Sequence, residues 1–164
     1  GVCSRWCARC MSEADALPRS VLFACTHNII RSPMAAELMR MQFGSAVRVD
    51  SVGLRPGDEV SYMAAFVMDE VGGDISRHEP KGFEFFETDY FEEGPFDLIV
   101  SLSPEVHHTA LELVPKLAAA AEYWPTFDPS LAEGSREQVL LEYRTVRDGL
   151  ARRIAARFPR PSTG

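Results

Sequence analysis

The feature that most constrains this fold is a short apolar run that ends at a cysteine and leads through a brief loop into a helical pattern. Ser20–Cys25 is apolar after its first residue, which is typical of a strand covered on both faces. Ser32 and Pro33 then fit a helix N-cap followed by proline at the first helical position. Apolar residues recur at helical spacing until Gly44. Strand, tight loop and helix in this order open a βαβ unit.

The alternation of strands and helices continues along the chain. The pattern predicts strands at 46–52, 96–102 and around 122–124, and helices at 60–71 and from Ser103 to near Pro115. A long final helix carries apolar residues at helical spacing: Val139, Tyr143, Val146, Leu150 and Ile154. We therefore predict a single three-layer α/β domain over residues 19–158, of Rossmann-like type, with a central four-stranded parallel sheet and helices on both faces. Residues 1–18 are interpreted as a disordered N-terminal tail and 159–164 as a C-terminal tail.

Composition excludes several classes of protein. The chain has 164 residues and a formal net charge of −7, which gives no general attraction to nucleic acid or anionic lipid. No apolar run approaches the length of roughly 20 residues that a membrane span needs. We expect a soluble, cytoplasmic protein without nucleic-acid or membrane partners; the oligomeric state is left open. Cys3, Cys7 and Cys10 have the spacing of some iron–sulfur motifs. Because they lie in the predicted tail of a chain too short for the enzymes that carry such motifs, we interpret this spacing as a coincidence.

The loop after the first strand carries the chemistry. In parallel sheets ligands bind beyond the carboxyl ends of the strands, where Cys25, Ser103 and Trp124 are expected. The backbone N–H groups of a five-residue loop and the N-terminus of the following helix form an anion site that favours the thiolate of Cys25. Arg31 can bind two oxygens of a phosphate, and the hydroxyl of Ser32 can donate to the thiolate.

This stretch resembles a known family. Residues 21–37, VLFACTHNIIRSPMAAE, resemble the phosphate-binding loop of low-molecular-weight protein tyrosine phosphatases, a loop shared by arsenate reductases of the same fold. The segments 50–53 (DSVG), 76–82 (SRHEPKG), 124–129 (WPTFDP) and 143–148 (YRTVRD) are similar to later parts of the family, in the expected order. The resemblance covers roughly residues 19–158 and implies the phosphotyrosine phosphatase I-like fold.

The resemblance implies a role for each matching residue. Cys25 would be the nucleophile, Arg31 would bind the phosphoryl group, and Asp128 would be the general acid. Asn28 would brace the loop with an unusual backbone angle, and Ser32 would stabilise the thiolate. The phosphate-binding and supporting positions are Thr26, His27, Asn28, Ile29, Ile30 and Ser32. Neither a metal nor another cofactor is implied, because Arg31 and the loop amides supply the positive charge.

Four positions depart from the family pattern. His27 stands where the family usually has glycine, and Ile30 stands where many members have a second cysteine. Ser130 and Leu131 follow the Asp-Pro pair, where family phosphatases commonly carry aromatic residues; Phe127 is one possible replacement. In addition, Cys25 is the last cysteine of the chain, whereas thioredoxin-linked arsenate reductases need further cysteines downstream.

The leading hypothesis is a metal-independent cysteine phosphatase, a protein tyrosine phosphatase. It would act on a phosphorylated protein or a small aryl phosphate through a phosphocysteine intermediate. The alternative is an arsenate reductase coupled to glutathione or another small thiol. A further alternative, from a different class, is a catalytically weak regulator that binds phosphorylated ligands.

Overall fold

A parallel β-sheet forms the centre of the molecule. The computed structural model describes residues 17–88 and 94–159, with the backbone alone at 87 and 88. Within these residues the strands are β1 (Ser20–Cys25), β2 (Arg48–Gly53), β3 (Phe96–Ser101) and β4 (Ala118–Tyr123). They lie in the order β2-β1-β3-β4, and each neighbouring pair is parallel. The predicted α/β class with a four-stranded parallel sheet is confirmed.

Helices cover both faces of this sheet. They are α1 (Arg31–Phe43), α2 (Tyr62–Asp69), α3 (Glu84–Thr88), α4 (Pro104–Leu117) and α5 (Arg136–Arg157). Helices α1, α2 and α5 contribute to the larger hydrophobic core on one face. Residues of α3 and α4 contribute to a smaller core on the other face. The arrangement gives the three layers expected of alternating strands and helices.

Burial along β1 explains why its sequence is uninterrupted by polar residues. Val21 and Phe23 point into the larger core, whereas Leu22 and Ala24 point into the smaller one, and all four are 0% exposed. Successive strand residues face opposite sides of a sheet, so a strand in the middle of three layers needs apolar residues at every position. Cys25 ends this strand in the larger core at 2% exposure.

Two predicted element boundaries are corrected by tertiary contacts. Helix α1 begins at Arg31 after Ile30, so Ser32 is not its N-cap. The Ser32 hydroxyl lies 2.9 Å from the sulfur of Cys25 instead, because the loop folds back over the end of β1. Strand β2 starts at Arg48 rather than 46, because Gly44–Ala46 forms a 3-10 turn after α1.

The second half of the chain shows two further differences. Strand β4 starts at Ala118, immediately after α4 and well before the predicted 122–124. Its alanine-rich start has helical propensity, and pairing with β3 overrides it. The sequence pattern does not predict α3, because five residues are too few to show a helical period.

The predicted N-terminal tail lies almost entirely outside the described residues. Leu17 is described, is half-buried and packs against the larger core. The predicted C-terminal tail falls outside the described residues from position 160 onward. Among the helices of the described ranges, none combines the length and the apolar character that crossing a membrane requires.

Candidate active site

The loop between β1 and α1 is shaped by one left-handed residue and one close approach. Asn28 has a φ of 57°, and among the described residues it is the one non-glycine residue with a positive φ. Asparagine tolerates this conformation better than most residues, as the sequence analysis expected. Gly53, at the end of β2, packs against the loop so closely that a Cβ there would lie 2.8 Å from Asn28 N. The loop therefore curls tightly around the end of β1.

The sulfur of Cys25 lies at the centre of this loop. It is 2.9 Å from Ser32 Oγ, and it accepts a hydrogen bond from the backbone N–H of Asn28 at 3.3 Å. The Ser32 hydroxyl accepts a hydrogen bond from Asn28 Nδ2 at 2.8 Å, and it lies 3.4 Å from the carbonyl oxygen of Val52, a second acceptor for its proton beside the sulfur. Hydrogen-bond donors of this kind stabilise a thiolate more than a thiol. The arrangement suits Cys25 to act as a nucleophile.

Arg31 is buried beside the same loop and is held from two sides. Its Nη1 donates to the carbonyl of Thr126 at 3.0 Å, and its Nη2 donates to Thr26 Oγ1 at 3.4 Å. Thr26 Oγ1 in turn donates to Ser103 Oγ at 3.0 Å. Fixing the guanidinium in advance lowers the entropy lost when it binds an oxyanion. Ser103 was expected near the site because it follows the end of β3, and this contact confirms it.

A buried network around Asn28 holds the loop. The Asn28 amide donates to Ser51 Oγ at 3.0 Å, and its Oδ1 accepts from the backbone N–H of Lys81 at 3.0 Å. Nε2 of His78 lies 3.0 Å from both Asn28 O and Asn28 Oδ1. Since both are acceptors in this network, Nε2 donates. Burial, followed by the nearby charge of Lys81, lowers the pKa of His78, so the ring is neutral at neutral pH.

Asp128 reaches the site from the loop between β4 and α5. Its Oδ1 accepts hydrogen bonds from the backbone N–H and the hydroxyl of Ser130, at 3.0 and 2.7 Å. Its Oδ2 lies 3.9 Å from Nη2 of Arg31. One carboxylate oxygen is thus fixed by its own turn, while the other faces the guanidinium. This places a carboxylate in the lining of the same pocket as the thiol.

Tyr143 of α5 packs behind this loop. Burial raises the pKa of Tyr143, and the negative charge of Asp128 raises it further, whereas a hydrogen bond with Ser61 opposes the shift. The phenol is therefore a neutral group beside Asp128 at physiological pH. In the sequence this residue is one of the apolar positions of the last helix, and the structure also places it close to the predicted acid.

The other predicted loop residues have different surroundings. His27 is exposed, and its Nδ1 lies 2.9 Å from the carbonyl oxygen of Arg55. Ile30 is buried in the larger core, and Ile29 is partly buried against it. One pocket brings together both catalytic candidates of this loop and Asp128; it is lined by Cys25, His27, Asn28, Ile29, Ile30, Arg31, Asp128 and Ser130. Among the predicted loop positions, Thr26 and Ser32 support this pocket from behind.

Sequence reasoning missed three partners of these residues. They are the carbonyl of Thr126, which holds Arg31, the carbonyl of Arg55, which holds His27, and the hydroxyl of Ser51, which holds Asn28. Backbone carbonyls have no sequence signature, so the first two could not have been found. The segment 50–53 was noted for its resemblance, and this was the available signal for Ser51.

Comparison with known proteins finds relatives along most of this chain. The family model described as low molecular weight phosphotyrosine protein phosphatase matches residues 20–156. An arsenate reductase of Bacillus subtilis strain 168 is 28% identical over 134 residues, which are 82% of this chain and 91% of that protein.

Solved structures show the same fold. A structure described as an arsenate reductase in the phosphate-binding state has a TM-score of 0.68 and 29% identity, covering 84% of this chain and 95% of that one. A tyrosine phosphatase of Erwinia amylovora has a TM-score of 0.66 at 18% identity, covering 87% of this chain and 92% of that one. At that identity the second likeness shows the fold alone.

Proposed function

Because this chain belongs to the low molecular weight phosphotyrosine protein phosphatase family, we propose that it is a metal-independent cysteine phosphatase. Its substrate would be phosphotyrosine in a protein or a similar aryl phosphate monoester. The observation that carries the proposal is the meeting of Cys25, Arg31 and Asp128 at one pocket. A nucleophile, an oxyanion-binding cation and a proton-transfer group are what this reaction needs.

The first step forms a phosphocysteine. The Cys25 thiolate attacks phosphorus, so an S–P bond forms and the P–O bond to the aryl group breaks. Arg31 and the loop amides bind the phosphoryl oxygens, whose charge is spread over three atoms in the transition state. Asp128, protonated at this stage, gives its proton to the leaving oxygen. A phenolate has a conjugate acid of pKa about 10, so this proton transfer contributes roughly 10²–10⁴-fold.

The second step returns the enzyme to its starting state. A water molecule attacks phosphorus, and the carboxylate of Asp128 now accepts a proton from it. The S–P bond breaks, inorganic phosphate is released and Cys25 leaves as a thiolate, stabilised by the hydroxyl of Ser32 at 2.9 Å. The proton count closes, because Asp128 regains the proton that it gave to the phenol.

The chain's cysteine content favours the phosphatase over a disulfide-coupled reductase. Cys25 is the last cysteine of the sequence, and Ile30 occupies the loop position at which many family members carry a second one. Ile30 is 5% exposed and packs into the larger core. No cysteine of the printed sequence follows Cys25 in the way that thioredoxin-linked arsenate reductases need for resolving an arsenic adduct.

Apolar side chains beside Asp128 suit an aryl substrate. Phe127 is 52% exposed and Leu131 is 70% exposed on the same loop as the acid, and Ile29 lines the pocket below. Phe127 lines a neighbouring cavity with Trp124 rather than the pocket of Cys25. An exposed apolar side chain on the loop of the acid gains burial when an aromatic ring packs against it. The related arsenate reductase solved in the phosphate-binding state supports a tetrahedral oxyanion as the group bound at the base of the pocket.

Turnover of p-nitrophenyl phosphate by the purified chain tests the proposal. Wild-type protein should hydrolyse it, Cys25→Ser should abolish the activity, and a phosphorylated intermediate should be trapped in wild type on rapid quenching. The matched control is Asp69→Asn, an exposed aspartate at the end of α2, which should keep wild-type activity. Turnover that persists in Cys25→Ser would remove the proposed nucleophile.

Arsenate reduction is the second candidate, favoured by the relatives described as arsenate reductases at 27–29% identity. In this reaction the Cys25 thiolate would bond to arsenic(V) with loss of water. The thiolate of an external thiol such as glutathione would then attack the Cys25 sulfur, so that an S–S bond forms, the S–As bond breaks and arsenic(III) leaves as arsenite. A second thiol would reduce this mixed disulfide and release Cys25, so that two external thiols supply the two electrons. Thiol-dependent production of arsenite without hydrolysis of aryl phosphate would replace the phosphatase proposal.

A further inference from the structure

A second cavity lies between α5 and the loop that joins β4 to α5. Its volume is about 260 Å³, and its lining includes residues 124–127 of that loop and Val146, Leu150 and Arg153 of α5. Among the described residues, none lines both this cavity and the pocket of Cys25. Small-molecule sites usually have about 300–1,000 Å³. A cavity slightly below that range suits a ligand with a single ring.

The aromatic wall of this second cavity is already fixed by other contacts. Trp124 is 2% exposed, and its ring packs edge-on against Phe23, with 5.9 Å between the ring centroids. The backbone N–H of Thr126 donates to the carbonyl of Leu102 at 3.1 Å. Phe127, at the edge of the same wall, is 52% exposed. A ligand ring that packs against Phe127 therefore gains burial on a surface that is already ordered.

Arg153 is the one charged side chain among the described residues of this lining. It is exposed, and its guanidinium lies over the ring of Trp124, 5.2 Å from the ring centroid. Within residues 17–88 and 94–159 it forms no hydrogen bond or ion pair. The carboxylate of Glu122, which interacts with its charge, is already bound by Arg157 at 2.6 and 3.0 Å. One carboxylate with two guanidinium groups leaves a net positive charge, which suits an anionic ligand.

We propose that the second cavity is a binding site for a free small aromatic carboxylate. The aromatic ring packs against Phe127 at the wall formed by Trp124, and the carboxylate pairs with Arg153. A planar guanidinium matches the two oxygens of a carboxylate, so this pairing favours a carboxylate over an uncharged group of the same shape. Neither Trp124 nor Arg153 has a part in the proposed phosphatase reaction, so the inference goes beyond it.

The second cavity adjoins the catalytic candidates through Thr126. This residue lines the cavity, and its carbonyl oxygen accepts the hydrogen bond from Arg31 Nη1 at 3.0 Å. Arg31 is also a guanidinium to which an added carboxylate can bind. Inorganic phosphate distinguishes the two sites, because it competes for Arg31 and has no ring to pack against Phe127.

Binding of phenylacetate tests the inference without turnover. We expect a dissociation constant of about 1 mM at pH 7, ordinary for a ligand of about ten non-hydrogen atoms. The NMR signal of the indole N–H of Trp124, which donates to Glu122 Oε1 at 3.1 Å, should shift on binding. Trp6→Phe assigns this signal, since the chain has two tryptophans. Phenylacetamide, which has the same shape without the charge, should bind about three- to fivefold more weakly, as expected for loss of an exposed ion pair.

Two variants and one control assign the contacts. Arg153→Gln should weaken phenylacetate binding about three- to fivefold and leave phenylacetamide binding unchanged, which also shows that the cavity stays folded. Phe127→Ala should weaken binding of both ligands about three- to tenfold, the range of an aromatic pair. Arg136→Gln is the control, because it removes the same charge from an exposed residue at the start of α5, about 25 Å along the helix from Arg153. It should bind both ligands as wild type does.

Three results in the binding experiment would overturn the inference. They are no saturable binding by wild type, equal affinity of Arg153→Gln and wild type for phenylacetate, and competitive displacement of phenylacetate by inorganic phosphate at constant ionic strength. A wild-type dimer in sedimentation that Phe127→Ala separates would also overturn it and assign the cavity to a second copy of the chain. The expected binding pattern in a protein that hydrolyses no aryl phosphate would leave this inference standing and remove the phosphatase proposal.

Discussion

At the scale of single residues, the candidate site depends on side chains that are each held by a second group. The Ser32 hydroxyl lies 2.9 Å from the sulfur of Cys25 and is itself held by a hydrogen bond from Asn28 Nδ2. Asp128 keeps its Oδ2 towards Arg31 because Ser130 holds the other carboxylate oxygen. These supporting contacts place the reactive atoms before substrate arrives, which is how a binding site avoids losing entropy at the moment of reaction.

The proposed acid role of Asp128 predicts a dependence on the leaving group. Asp128→Asn should lower kcat/KM for phenyl phosphate by roughly 10²–10⁴-fold, because a strongly basic phenolate needs the proton. The loss should be much smaller for p-nitrophenyl phosphate, whose leaving group is more acidic. Initial rates on both substrates measure this, with Asp69→Asn as the control. Equal losses on the two substrates would contradict general-acid catalysis by Asp128.

The lowered pKa of His78 predicts how the free energy of unfolding depends on pH. Because burial lowers the pKa of His78 in the folded state, the unfolded chain binds a proton first as the pH falls below the ordinary histidine value of about 6.5. The contribution of His78 is therefore complete above that pH and is lost as the pH falls towards the lower folded value. The free energy of unfolding should decrease more between pH 7 and pH 5 in wild type than in His78→Gln.

Urea denaturation at several pH values measures this difference. Glutamine can still donate to the Asn28 oxygens, so the variant tests titration rather than loss of the hydrogen bond. His108→Gln, on the exposed face of α4, should behave as wild type. Parallel pH profiles for wild type and His78→Gln would show that His78 does not titrate with folding.

At the scale of elements, the loop between β1 and α1 packs closely against the end of β2 because β2 ends in a glycine, Gly53. A side chain at Gly53 would place its Cβ 2.8 Å from Asn28 N and 2.9 Å from His27 C. These are backbone atoms, which cannot move aside as the end of a flexible side chain can. The glycine at the end of β2 thus allows the loop between β1 and α1 to pack tightly against the sheet.

Gly53→Ala should therefore damage the site. We expect at least a tenfold loss of turnover and a destabilisation of about 1–3 kcal/mol, the usual cost of overpacking. The control is Gly149→Ala in α5, where the nearest atom to a new Cβ would be 4.0 Å away. Because alanine is a better helix former, this variant should be about 0.5–1 kcal/mol more stable and fully active. Thermal unfolding and turnover measure both; a fully active Gly53→Ala would contradict the packing argument.

Elements differ in how well the sequence predicts them. The apolar run of β1 and the periodic pattern of α5 are specified by many residues, and both are confirmed. The sequence predicts Ser32 as the N-cap of α1, but the helix begins one residue earlier, at Arg31, and the Ser32 hydroxyl contacts Cys25 instead. A polar side chain at a helix start has several possible partners, and local sequence does not rank them. The predicted start of β4 is too late in the sequence, because pairing with β3 overrides the preference of alanine for helix.

At the scale of the whole molecule, a charged cluster joins α2 to α5. Arg147 is 9% exposed and donates to the carbonyl of Val67 at 2.7 Å and to Glu70 Oε1 at 2.8 Å. Arg144 also donates to Glu70, and these hydrogen bonds lower the pKa of that carboxyl. The cluster fixes the two helices on the face of the sheet that carries Tyr143 and the larger core.

Arg147→Ala should therefore destabilise the fold. We expect a loss of about 2 kcal/mol, less than for a fully buried pair because Glu70 remains partly exposed. Glu112→Gln, which removes only the exposed pair with His108, should change stability by less than about 0.5 kcal/mol. Urea denaturation of both variants measures the difference. Equal effects would mean that the cluster around Arg147 contributes no more than a surface pair.

The sequence by itself determined the alternation of strands with the longer helices and the position of the loop between β1 and α1. Both follow from local rules: apolar periodicity selects helix or strand, and a cysteine and an arginine spaced around a tight turn share one anion. The predicted roles of Cys25, Arg31 and Asp128 remain proposals, although the pocket brings the three residues together.

Only the tertiary structure decided how these residues are held. Arg31 donates to the carbonyl of Thr126 across 95 positions of the chain, and the ring of His27 is fixed by the carbonyl of Arg55. Every residue has a backbone carbonyl, so no local pattern marks the one that will accept a distant donor. Such contacts arise because parallel pairing brings the ends of β1, β3 and β4 to one edge of the sheet, where loops far apart in sequence meet.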